Sequence, residues 1–382
     1  MRAARDRETM TRCVVIGAGV VGASVAHRLA ESGASVTVLE AGRVGGGTSG
    51  VSFAWTNSNN KPPRAYHDLN VAGMRAHAAL AEEFGDTPWW HGGGCVEWAR
   101  TEADRSGLRA RVERLRSWGY AAEWLTLQQL RALEPDIDPA AVGEGPIAYF
   151  PEEGWIDPVV YAHAMLEAAQ RSGAALRCGA RVTEIRVEGG RVTGVRTAAG
   201  ESFGADVVVN CAGRWADEVA RLAGLRIPLA PTVGLLVFTP PVATCLRRVV
   251  RAPQCHMRPD GGGRLVLRTE DADRQVSAET EPSPRLAPAE DLVRGAAQVL
   301  PGIGGTGPEA ARIAVRPIPS DGYSAVGPMP GVSGSYLVVT HSGVTLAPFL
   351  GRAVAEEVTR GRTVRELERF RPSRFAGPTG GG

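Results

Sequence analysis

An apolar, β-branched run near the amino terminus leads straight into a glycine turn and then into an alanine-rich amphipathic stretch. The run RCVVI at 12–16 precedes GAGVVG at 17–22, the amphipathic stretch follows at 23–32, and a second apolar run at 35–39 ends on Glu40. A strand, a glycine turn, a helix and a second strand in about thirty residues form a βαβ unit. The pattern therefore predicts an α/β fold that opens with this unit.

The three glycines of the turn and the acid after the second strand have separate physical roles. Gly17 permits the tight turn, Gly19 lets the backbone approach a pyrophosphate, and Gly22 lets the helix pack close to the sheet. The helix N-terminus supplies N–H groups and a positive dipole end for phosphates. Glu40 can accept hydrogen bonds from a ribose 2′-OH and would repel a 2′-phosphate, which argues against NADP. The motif does not separate FAD from NAD, and an ordinary βαβ turn without a ligand is its alternative.

Two later segments favour FAD. A classical NAD domain continues directly into further βα units, whereas this chain enters a second glycine-rich loop, GGGTSG, at 45–50. The backbone N–H groups of Thr48 and Ser49 are predicted to contact the pyrophosphate of a cofactor that extends to a large ring. The apolar run at 207–211, followed by Gly213, is predicted to return to the nucleotide sheet. The alternatives are a flexible loop and a plain core strand.

The composition makes several function classes improbable. A net charge of +2 gives no basic stripe for nucleic acid, and the only lysine among 43 basic residues is Lys61. No run approaches the ~20 apolar residues that cross a bilayer. The six cysteines form no CxxC pair, so neither a metal site nor a disulfide framework is predicted. We expect a soluble, cytoplasmic protein.

Periodicity places the remaining elements along the chain. Helices are predicted at about 65–84, 102–133, 159–172, 287–300 and 346–360. Strands are predicted at 180–188, 191–197, 206–211, 231–239, 264–269 and 335–340.

Four segments, in order and with similar spacing, resemble the D-amino-acid oxidase, glycine oxidase and sarcosine oxidase family, and the glycine oxidase-like members most. They are the βαβ unit at 14–40, the loop at 45–50, VVVNCAGRWAD at 207–217, and a C-terminal stretch with RPIPSDGYSAVGP at 316–328 and HSGVTLAP at 341–348. The resemblance covers about residues 12–375.

The resemblance implies an α/β (α+β) fold in which a Rossmann-like FAD-binding domain is interleaved with an antiparallel-sheet substrate domain. Composition shifts place the FAD-binding domain at 10–85, 150–220 and 310–375. The substrate-binding domain is predicted at 86–149 and 221–309, and disordered ends are predicted at 1–9 and 376–382.

The resemblance also implies how FAD is held. Some relatives attach FAD through a C-terminal cysteine, but no cysteine follows Cys255, so non-covalent FAD is expected. The loop before the last helix is implied to pass beside the flavin ring, where the helix N-terminus would stabilise negative charge at the N1–C2=O edge. The predicted cofactor contacts are Gly17, Gly19, Val20, Val21, Gly22, Glu40, Ala41, Gly47, Thr48, Ser49, Val182, Ala212, Gly213, Trp215, Ser342, Gly343, Val344 and Thr345.

The implied reaction oxidises an amine that carries a carboxylate, with hydride transfer to flavin N5 and reoxidation of the flavin by O2 to give H2O2. A carboxylate favours the planar fork of arginine, and Arg316 matches the family's carboxylate-binding arginine. Arg258 is a second candidate, and Trp55 is predicted to wall the substrate site. Lys61 is a candidate cation for stabilising superoxide, and His341 a candidate acid or base. Each of these residues also has a plain structural or surface interpretation.

The substrate implied by the glycine oxidase-like C-terminus is glycine or an N-substituted glycine such as an N-carboxymethyl amino acid. Its oxidation releases glyoxylate and an amine, a step suited to a natural-product pathway. One alternative is a D-amino-acid, sarcosine or proline-type dehydrogenase that passes electrons to an acceptor other than O2. Another is a non-catalytic dinucleotide-binding protein. The sequence leaves the oligomeric state open, including a homo-oligomer, and predicts only small-molecule partners, without nucleic acid or membrane.

Overall fold

The computed structural model describes residues 10–376, so the predicted disordered ends lie outside the described residues except for Ala376. The strands are β1 (Arg12–Ile16), β2 (Ser35–Leu39), β3 (Trp55–Thr56), β4 (Trp90–His91), β5 (Cys95–Trp98), β6 (Glu123–Leu125), β7 (Ile147–Phe150), β8 (Gly154–Ile156), β9 (Ala175–Arg177), β10 (Val182–Glu188), β11 (Arg191–Thr197), β12 (Ser202–Gly204), β13 (Val207–Asn210), β14 (Leu229–Phe238), β15 (Val249–Arg251), β16 (His256–Pro259), β17 (Leu265–Arg268), β18 (Ala310–Pro319), β19 (Ala325–Pro328) and β20 (Ser335–Val339).

The α-helices are α1 (Val20–Glu31), α2 (Arg64–Phe84), α3 (Glu102–Ser117), α4 (Leu127–Leu133), α5 (Pro139–Val142), α6 (Pro158–Arg171), α7 (Ala216–Arg221), α8 (Glu270–Arg274), α9 (Ala287–Val299) and α10 (Gly343–Arg360). Short 3-10 helices lie at Thr48–Gly50, Gly213–Trp215, Pro301–Ile303, Arg365–Phe370 and Pro372–Phe375.

The chain divides into two units, each built from separated segments. The first unit contains the chain up to Gly46, Tyr161–Ala230 and the chain from Pro317 onward; the second contains Gly47–Val160 and Pro231–Arg316. The predicted boundaries near 150, 220 and 310 lie within about ten residues of those observed. That the two units are the FAD-binding and substrate-binding domains stays a prediction.

The boundary at 46 differs from the sequence prediction, which kept residues up to 85 in the FAD-binding domain. In the structure this segment is held by the second unit: β3 pairs antiparallel with β8, and the Thr48 hydroxyl donates to the Val315 carbonyl at 2.8 Å. Pairing partners more than ninety residues along the chain decide the placement, and composition carries no information about them.

The sheet of the first unit has six strands in the order β19-β20-β13-β1-β2-β9. Pairings of β1 with β2 and β13, of β13 with β20, and of β2 with β9 are parallel, and only the β19 pairing in this sheet is antiparallel. A separate antiparallel sheet has the order β10-β11-β12. The predicted βαβ unit is therefore present at the centre of a parallel sheet.

The sheet of the second unit has eight strands in the order β18-β14-β17-β16-β15-β5-β7-β6. Among β14 to β17 and β5 to β7 the pairings are antiparallel, apart from the parallel pairing of β15 with β5. A small antiparallel sheet, β3-β8-β4, completes the unit. A parallel and an antiparallel sheet in separate units confirm the predicted α/β (α+β) fold class.

One predicted helix is wrong. The charged stretch at 102–133 folds as α3, β6 and α4 rather than as one helix. The chain turns after Trp118 at Gly119, whose φ of +79° is a conformation that glycine adopts without strain. The charged residues on both sides of this break have the pattern of a solvent-exposed helix. The sequence pattern therefore did not reveal the strand between the two helices.

No helix within residues 10–376 combines the length and the apolar character that crossing a bilayer would require.

Candidate functional site

The glycine turn after β1 is packed so closely that side chains are excluded. Gly17 has a φ of +104°, its N–H donates to the Leu39 carbonyl at 2.9 Å, and a Cβ placed on it would lie 2.6 Å from the Cys211 carbonyl oxygen. A Cβ on Gly22 would overlap the Gly17 carbonyl oxygen. The turn thus lies against the carboxyl ends of neighbouring parallel strands, where ligands bind in open α/β sheets.

The carboxylate of Glu40, just after β2, is held by backbone amides. Oε2 accepts from the Ala18 N–H and Oε1 from the Gly42 N–H, both at 2.8 Å. Each oxygen keeps acceptor capacity, because a carboxylate has about four lone-pair sites. The Gly45 N–H donates to the Ala18 carbonyl at 3.0 Å, which brings the start of the second glycine loop against the turn.

Two helix N-termini lie side by side at this turn. Helix α1 begins after Gly19 and α10 after Ser342, and neither N-terminus has a side-chain cap within the described chain. A Cβ on Gly343 would lie 3.5 Å from the Val21 side chain. First-turn amides have no acceptor in their own helix, so two positive helix ends point to one place. We call this region the glycine cradle: residues 17–22, Glu40 and residues 342–345.

A row of polar side chains crosses the large sheet of the second unit. Arg268 pairs with His256, His256 with Arg251, and Arg251 with Glu97, so one residue from each of four strands follows the next. Residues directly opposite one another share a face of the sheet. Burial, reinforced by the neighbouring guanidinium groups, lowers the pKa of His256 well below its ordinary value, so its imidazole is neutral.

Arg316, on β18, extends this polar face. Its Nη2 lies 2.5 Å from Asp273 Oδ2, and Arg268 Nη2 lies 2.9 Å from the same oxygen. The Arg316 guanidinium lies against Gly234 of β14, where any Cβ would overlap it. Asp273 is itself positioned by the Leu235 N–H at 2.8 Å. A glycine and a shared carboxylate therefore hold the two arginines side by side, with Arg316 about a quarter exposed.

Lys61 faces this cluster without a partner. It is partly buried and forms no hydrogen bond or ion pair with any residue between 10 and 376. Burial lowers the pKa of Lys61 to about 8, helped by Arg251, Arg268 and Arg316 and opposed by Glu153. Its ammonium thus lies near the guanidinium groups of other residues, and no carboxylate between residues 10 and 376 forms an ion pair with it.

Glu153 is a carboxyl buried beside these groups, with 1% of its surface exposed. Tyr120 Oη donates to Oε1 at 2.6 Å, and Trp55 Nε1 and Asn59 Nδ2 donate to Oε2 at 2.9 and 3.4 Å. Burial raises the pKa of Glu153 to about 8 despite these bonds, so the group is mostly protonated at neutral pH.

Besides Asp273, two further carboxylates form ion pairs with these arginines. Glu97 lies 2.5 Å from Arg111 and 3.1 Å from Arg251, and Glu270 lies 3.3 Å from Arg268. We call the following set the charged cluster: Lys61, Glu97, Arg111, Arg251, Arg268, Glu270, Asp273 and Arg316.

The sequence matches the family described as FAD dependent oxidoreductase (DAO) over residues 12–357. The protein belongs to this family. It is 28% identical to a glycine oxidase of Geobacillus kaustophilus (strain HTA426), over 96% of this chain and 97% of that one.

Solved structures with a similar fold include a glycine oxidase from Geobacillus kaustophilus. Its TM-score is 0.84 at 25% identity, covering 96% of this chain and all of that one. L-proline dehydrogenase from P. horikoshii has a TM-score of 0.83 at 21% identity, covering 96% of this chain and 98% of that one. Iminodiacetate oxidase from Chelativorans sp. BNC1 has a TM-score of 0.81 at 23% identity, covering 94% and 99%. The last two show the fold alone.

The protein is an FAD-dependent oxidoreductase by its family, and the glycine cradle fits that cofactor. The overlap that a Cβ would meet at Gly17 and Gly22 leaves bare backbone for a pyrophosphate, and Glu40 is pinned where a ribose is expected. The N-terminal ends of α1 and α10 add the positive potential that phosphates and a reduced flavin need. The individual contacts to FAD stay predictions.

The other predicted cofactor residues of the first unit lie near the sheet. Val182 packs in a core cluster with Ile16 and Leu39, next to the strands that carry the cradle. Ala212 and Gly213 follow β13, and Trp215, which is 37% exposed, closes the turn.

Asn210, which the sequence analysis missed, shapes that turn. Its Oδ1 accepts from the Ala212 N–H at 3.2 Å and its Nδ2 donates to the Ala216 carbonyl at 2.8 Å. The signal was a polar residue at the end of an apolar run.

The predicted contacts Gly47, Thr48 and Ser49 lie in the second unit, at the start of a short 3-10 helix. The Thr48 hydroxyl is engaged by Val315, which leaves only its backbone for the predicted phosphate contact. Ala41 is exposed beside Glu40. These contacts remain untested predictions.

His341 is exposed, whereas Ser342 and Thr345 just after it are buried at the start of α10. The Ser342 N–H donates to Thr340 Oγ1 at 3.1 Å, and that hydroxyl also bonds Ser324 Oγ at 2.7 Å. This arrangement favours a role for the segment in holding the helix start, and an acid or base role for His341 stays a prediction.

The buried side chain of Arg258 has hydrogen-bond and ring contacts within the second unit. Its side chain is 2% exposed, its Nε donates to the Phe53 carbonyl, its Nη1 to Pro259 and Asp260, and its guanidinium lies 4.6 Å from the Trp155 ring. These contacts favour the structural interpretation over the predicted substrate contact.

The side chain of Trp55 also has structural partners. Its indole N–H donates to Glu153, and the Arg251 guanidinium lies 5.1 Å from the centre of its ring. Its ring therefore lies beside the charged cluster, and its place in the wall of the substrate site stays a prediction.

Most of the charged cluster was not foreseen from the sequence. Arg251, Arg268, Asp273 and Glu97 are ordinary charged residues of an arginine-rich chain until strand pairing brings them together. Glu153 had no local signal, since it follows Glu152 in a turn and only burial distinguishes the two.

Proposed function

We propose that this protein is an oxidase of glycine or of an N-substituted glycine. For a secondary amine the balanced reaction is R–NH–CH2–COO⁻ + O2 + H2O → R–NH2 + OHC–COO⁻ + H2O2. Bound FAD supplies the electron-accepting chemistry at the carbon next to nitrogen. The protein's residues bind the carboxylate, orient the amine and exclude water.

The main support for this proposal is the position of Arg316. Its guanidinium is partly exposed and rigidly seated on Gly234, and Asp273 engages one of its terminal nitrogens. A guanidinium has five N–H donors, so donors remain for a substrate carboxylate. A fixed, partly paired arginine binds a carboxylate with little loss of side-chain freedom, and the similarity to a glycine oxidase supports the same assignment.

We assign Lys61 a role in the step in which O2 reoxidises the flavin. With a pKa of about 8 it carries a positive charge at neutral pH. A cation in a partly buried region stabilises the negative charge that develops when O2 is reduced. Its freedom from protein partners keeps that charge available within the described chain.

The test is the absorption spectrum of the purified protein during anaerobic addition of glycine, sarcosine and N-carboxymethyl amino acids. Bleaching of the flavin bands by one of these amines, followed by recovery in air with formation of H2O2, is the expected result. Bleaching without recovery in air would favour the dehydrogenase alternative. Bleaching only by D-amino acids with bulky side chains would overturn the proposed substrate class.

The matched variants are Arg316→Gln and Arg264→Gln. In the first, Asp273 keeps Arg268 as its partner, so the fold is preserved while the carboxylate site is lost. We expect the amine concentration for half-maximal bleaching to rise about 10- to 100-fold, since a charged hydrogen bond contributes ~1.5–3 kcal/mol. Arg264 pairs with Glu309 on the surface at 2.7 Å, and its variant should behave as wild type.

A further inference from the structure

The side chain of Lys61 has no partner that fixes its position. Within residues 10–376 it forms no hydrogen bond and no ion pair, although it lies near three guanidinium groups. An ammonium without such a partner is located by the backbone that carries it. The contacts of the residues before Lys61 therefore decide where its positive charge lies. We call residues 55–61 the lysine segment.

The lysine segment is buried although it is polar. Four consecutive polar residues in its middle are buried, each with at most 5% of its surface exposed: Thr56, Asn57, Ser58 and Asn59. Burying a polar side chain is costly unless the side chain is hydrogen-bonded. The hydrogen-bond partners of these residues therefore determine the shape of the segment.

The carboxyl of Glu153 is connected to this segment at three points. It accepts from Trp55 Nε1 at 2.9 Å and lies 3.4 Å from Asn59 Nδ2. It also accepts from Tyr120 Oη at 2.6 Å, and that oxygen in turn accepts from the Ser58 N–H at 3.1 Å. One carboxyl thus holds three residues of the stretch that leads to the ammonium group.

The position of Glu153 is itself fixed within the second unit. The residue directly precedes β8, whose Gly154 pairs with Thr56 of β3. Its carbonyl accepts from the Gly94 N–H at 2.9 Å, just before β5, and its side chain is 1% exposed. A buried carboxyl whose backbone is tied to neighbouring strands is a rigid anchor.

Glu153 makes these contacts largely without charge at neutral pH, because burial raises its pKa to about 8. The carboxyl proton has an acceptor nearby. Asn59 Oδ1 has no hydrogen-bond partner between residues 10 and 376, and a half-turn of the amide presents that oxygen to Glu153 Oε2. An ionised carboxylate would attract the Lys61 ammonium and offset its charge, whereas a neutral carboxyl leaves that charge available.

We propose that Glu153 is a positioning residue, which fixes the lysine segment and so places the Lys61 ammonium for the step in which O2 is reduced. The inference rests on the role proposed for Lys61 and adds a residue that acts through it. In this role no bond of Glu153 is made or broken.

The test measures how the reduced, FAD-loaded protein reacts with O2. The flavin is reduced by light in the presence of EDTA, so that no amine is needed, and its reoxidation is followed by stopped-flow absorption at several O2 concentrations. We expect the second-order rate constant to fall at least ~10-fold in Lys61→Met, because a fixed charge that stabilises developing negative charge is lost. We expect a fall of ~10-fold in Glu153→Ala as well, since a misplacement of ~1 Å can cost on the order of 10²-fold.

The double variant Lys61→Met/Glu153→Ala separates positioning from general damage. If Glu153 acts through Lys61, the double variant reacts as slowly as Lys61→Met alone, whereas independent effects would multiply. Multiplied effects, or a wild-type rate constant in folded Glu153→Ala protein, would overturn the inference. A wild-type rate constant in Lys61→Met would instead overturn the role proposed for Lys61, and reduced protein that does not react with O2 would overturn the proposed oxidase.

Tyr120→Phe is a second variant for the case in which Glu153→Ala does not fold. It removes one bond to the carboxyl and one to the lysine segment, while Ser58 Oγ keeps His67 Nδ1 at 2.8 Å. We expect a partial loss of the O2 rate constant, and none in the Lys61→Met background. FAD content and thermal midpoint verify that each variant is folded. An unchanged rate constant in folded Tyr120→Phe protein would contradict the inference.

Glu153→Gln tests the anchor in a form that is always neutral. The amide has nearly the same shape and keeps hydrogen bonds to the segment, so we expect the wild-type rate constant at neutral pH. A loss as large as that of Glu153→Ala would show that the negative charge is needed and would overturn the neutral anchor. The control is Glu152→Ala, which removes the exposed carboxyl next in the chain and should react as wild type.

Discussion

Glu153 and Lys61 are two ionisable groups of opposite type whose pKa values burial moves toward each other. Burial raises the pKa of Glu153 from 4.5 to about 8 and lowers that of Lys61 from 10.5 to about 8. Removing a group from water disfavours its charged form, which raises the pKa of an acid and lowers that of a base. Near pH 8 a small change in acidity therefore alters the charge of the whole region.

Glu153→Gln should change how stability depends on pH. A carboxyl whose folded pKa is raised contributes stability that is present below about pH 4.5 and is lost as the pH rises through about 8. Between pH 5 and pH 8 we expect the free energy of unfolding of the wild type to fall relative to that of the variant, by on the order of 1 kcal/mol or more. Urea denaturation at each pH measures this difference.

The control is Glu152→Gln, which changes an exposed carboxyl next in the chain. Its midpoint should follow that of the wild type at every pH. A constant difference between wild type and Glu153→Gln over this pH range would show that the carboxyl does not titrate there. Lys61 acts in the opposite sense above pH 8, where its lowered pKa makes stability rise toward pH 10.5.

Helices α1 and α10 pack through glycines, and this packing brings their N-termini together. A Cβ on Gly351 would lie 2.5 Å from the Ser24 carbonyl oxygen, and a Cβ on Gly22 would overlap the Gly17 carbonyl. Ser24 also bonds Tyr161 of α6 at 2.7 Å, which anchors the centre of α1. Close backbone approach at these glycines therefore limits where the two helices can lie.

Gly22→Ala should weaken FAD binding by about 10-fold or more, because overpacking against backbone costs ~1–3 kcal/mol and displaces the start of α1. FAD fluorescence on titration of the apoprotein measures the affinity. The control is Gly107→Ala in α3, where a Cβ meets no heavy atom within 4 Å in the part of the chain that the structure describes. That change should leave FAD affinity intact and keep or raise the thermal midpoint, since alanine favours helix. Equal affinities for both variants would contradict the packing argument.

The chain as a whole builds each unit from segments far apart in sequence. The central strands β1 and β13 of the first unit are separated by nearly two hundred residues, most of which form the second unit. A cofactor held by the first unit stabilises the native state by mass action, because the unfolded chain does not bind it.

Removing FAD should therefore lower the thermal midpoint, and restoring it at 100 times its dissociation constant should return ~2.7 kcal/mol. Riboflavin, which has the ring but neither pyrophosphate nor adenosine, should restore little if the glycine cradle holds the dinucleotide part. Thermal unfolding of apoprotein with each compound measures both effects. Equal recovery with riboflavin would place the binding energy elsewhere.

The glycine cradle could be predicted from the sequence almost completely, because its determinants are local. The spacing of Gly17, Gly19 and Gly22 between two apolar runs is dictated by how closely a backbone can pass a helix end. Even so, helix α1 begins at Val20, three residues before the predicted start, since Gly19 is extended and acts as its N-cap. The family was foreseen from this unit together with three further sequence segments, at 45–50, 207–217 and in the C-terminal stretch.

The charged cluster was decided by tertiary structure alone. Arg251, Arg268 and Glu97 are unremarkable in an arginine-rich sequence, and only the register of four strands places them in one row. Burial, which distinguishes Glu153 from Glu152, is likewise a property of the folded chain. Local backbone geometry is therefore encoded by neighbouring residues, whereas charge balance in a site depends on which distant residues meet.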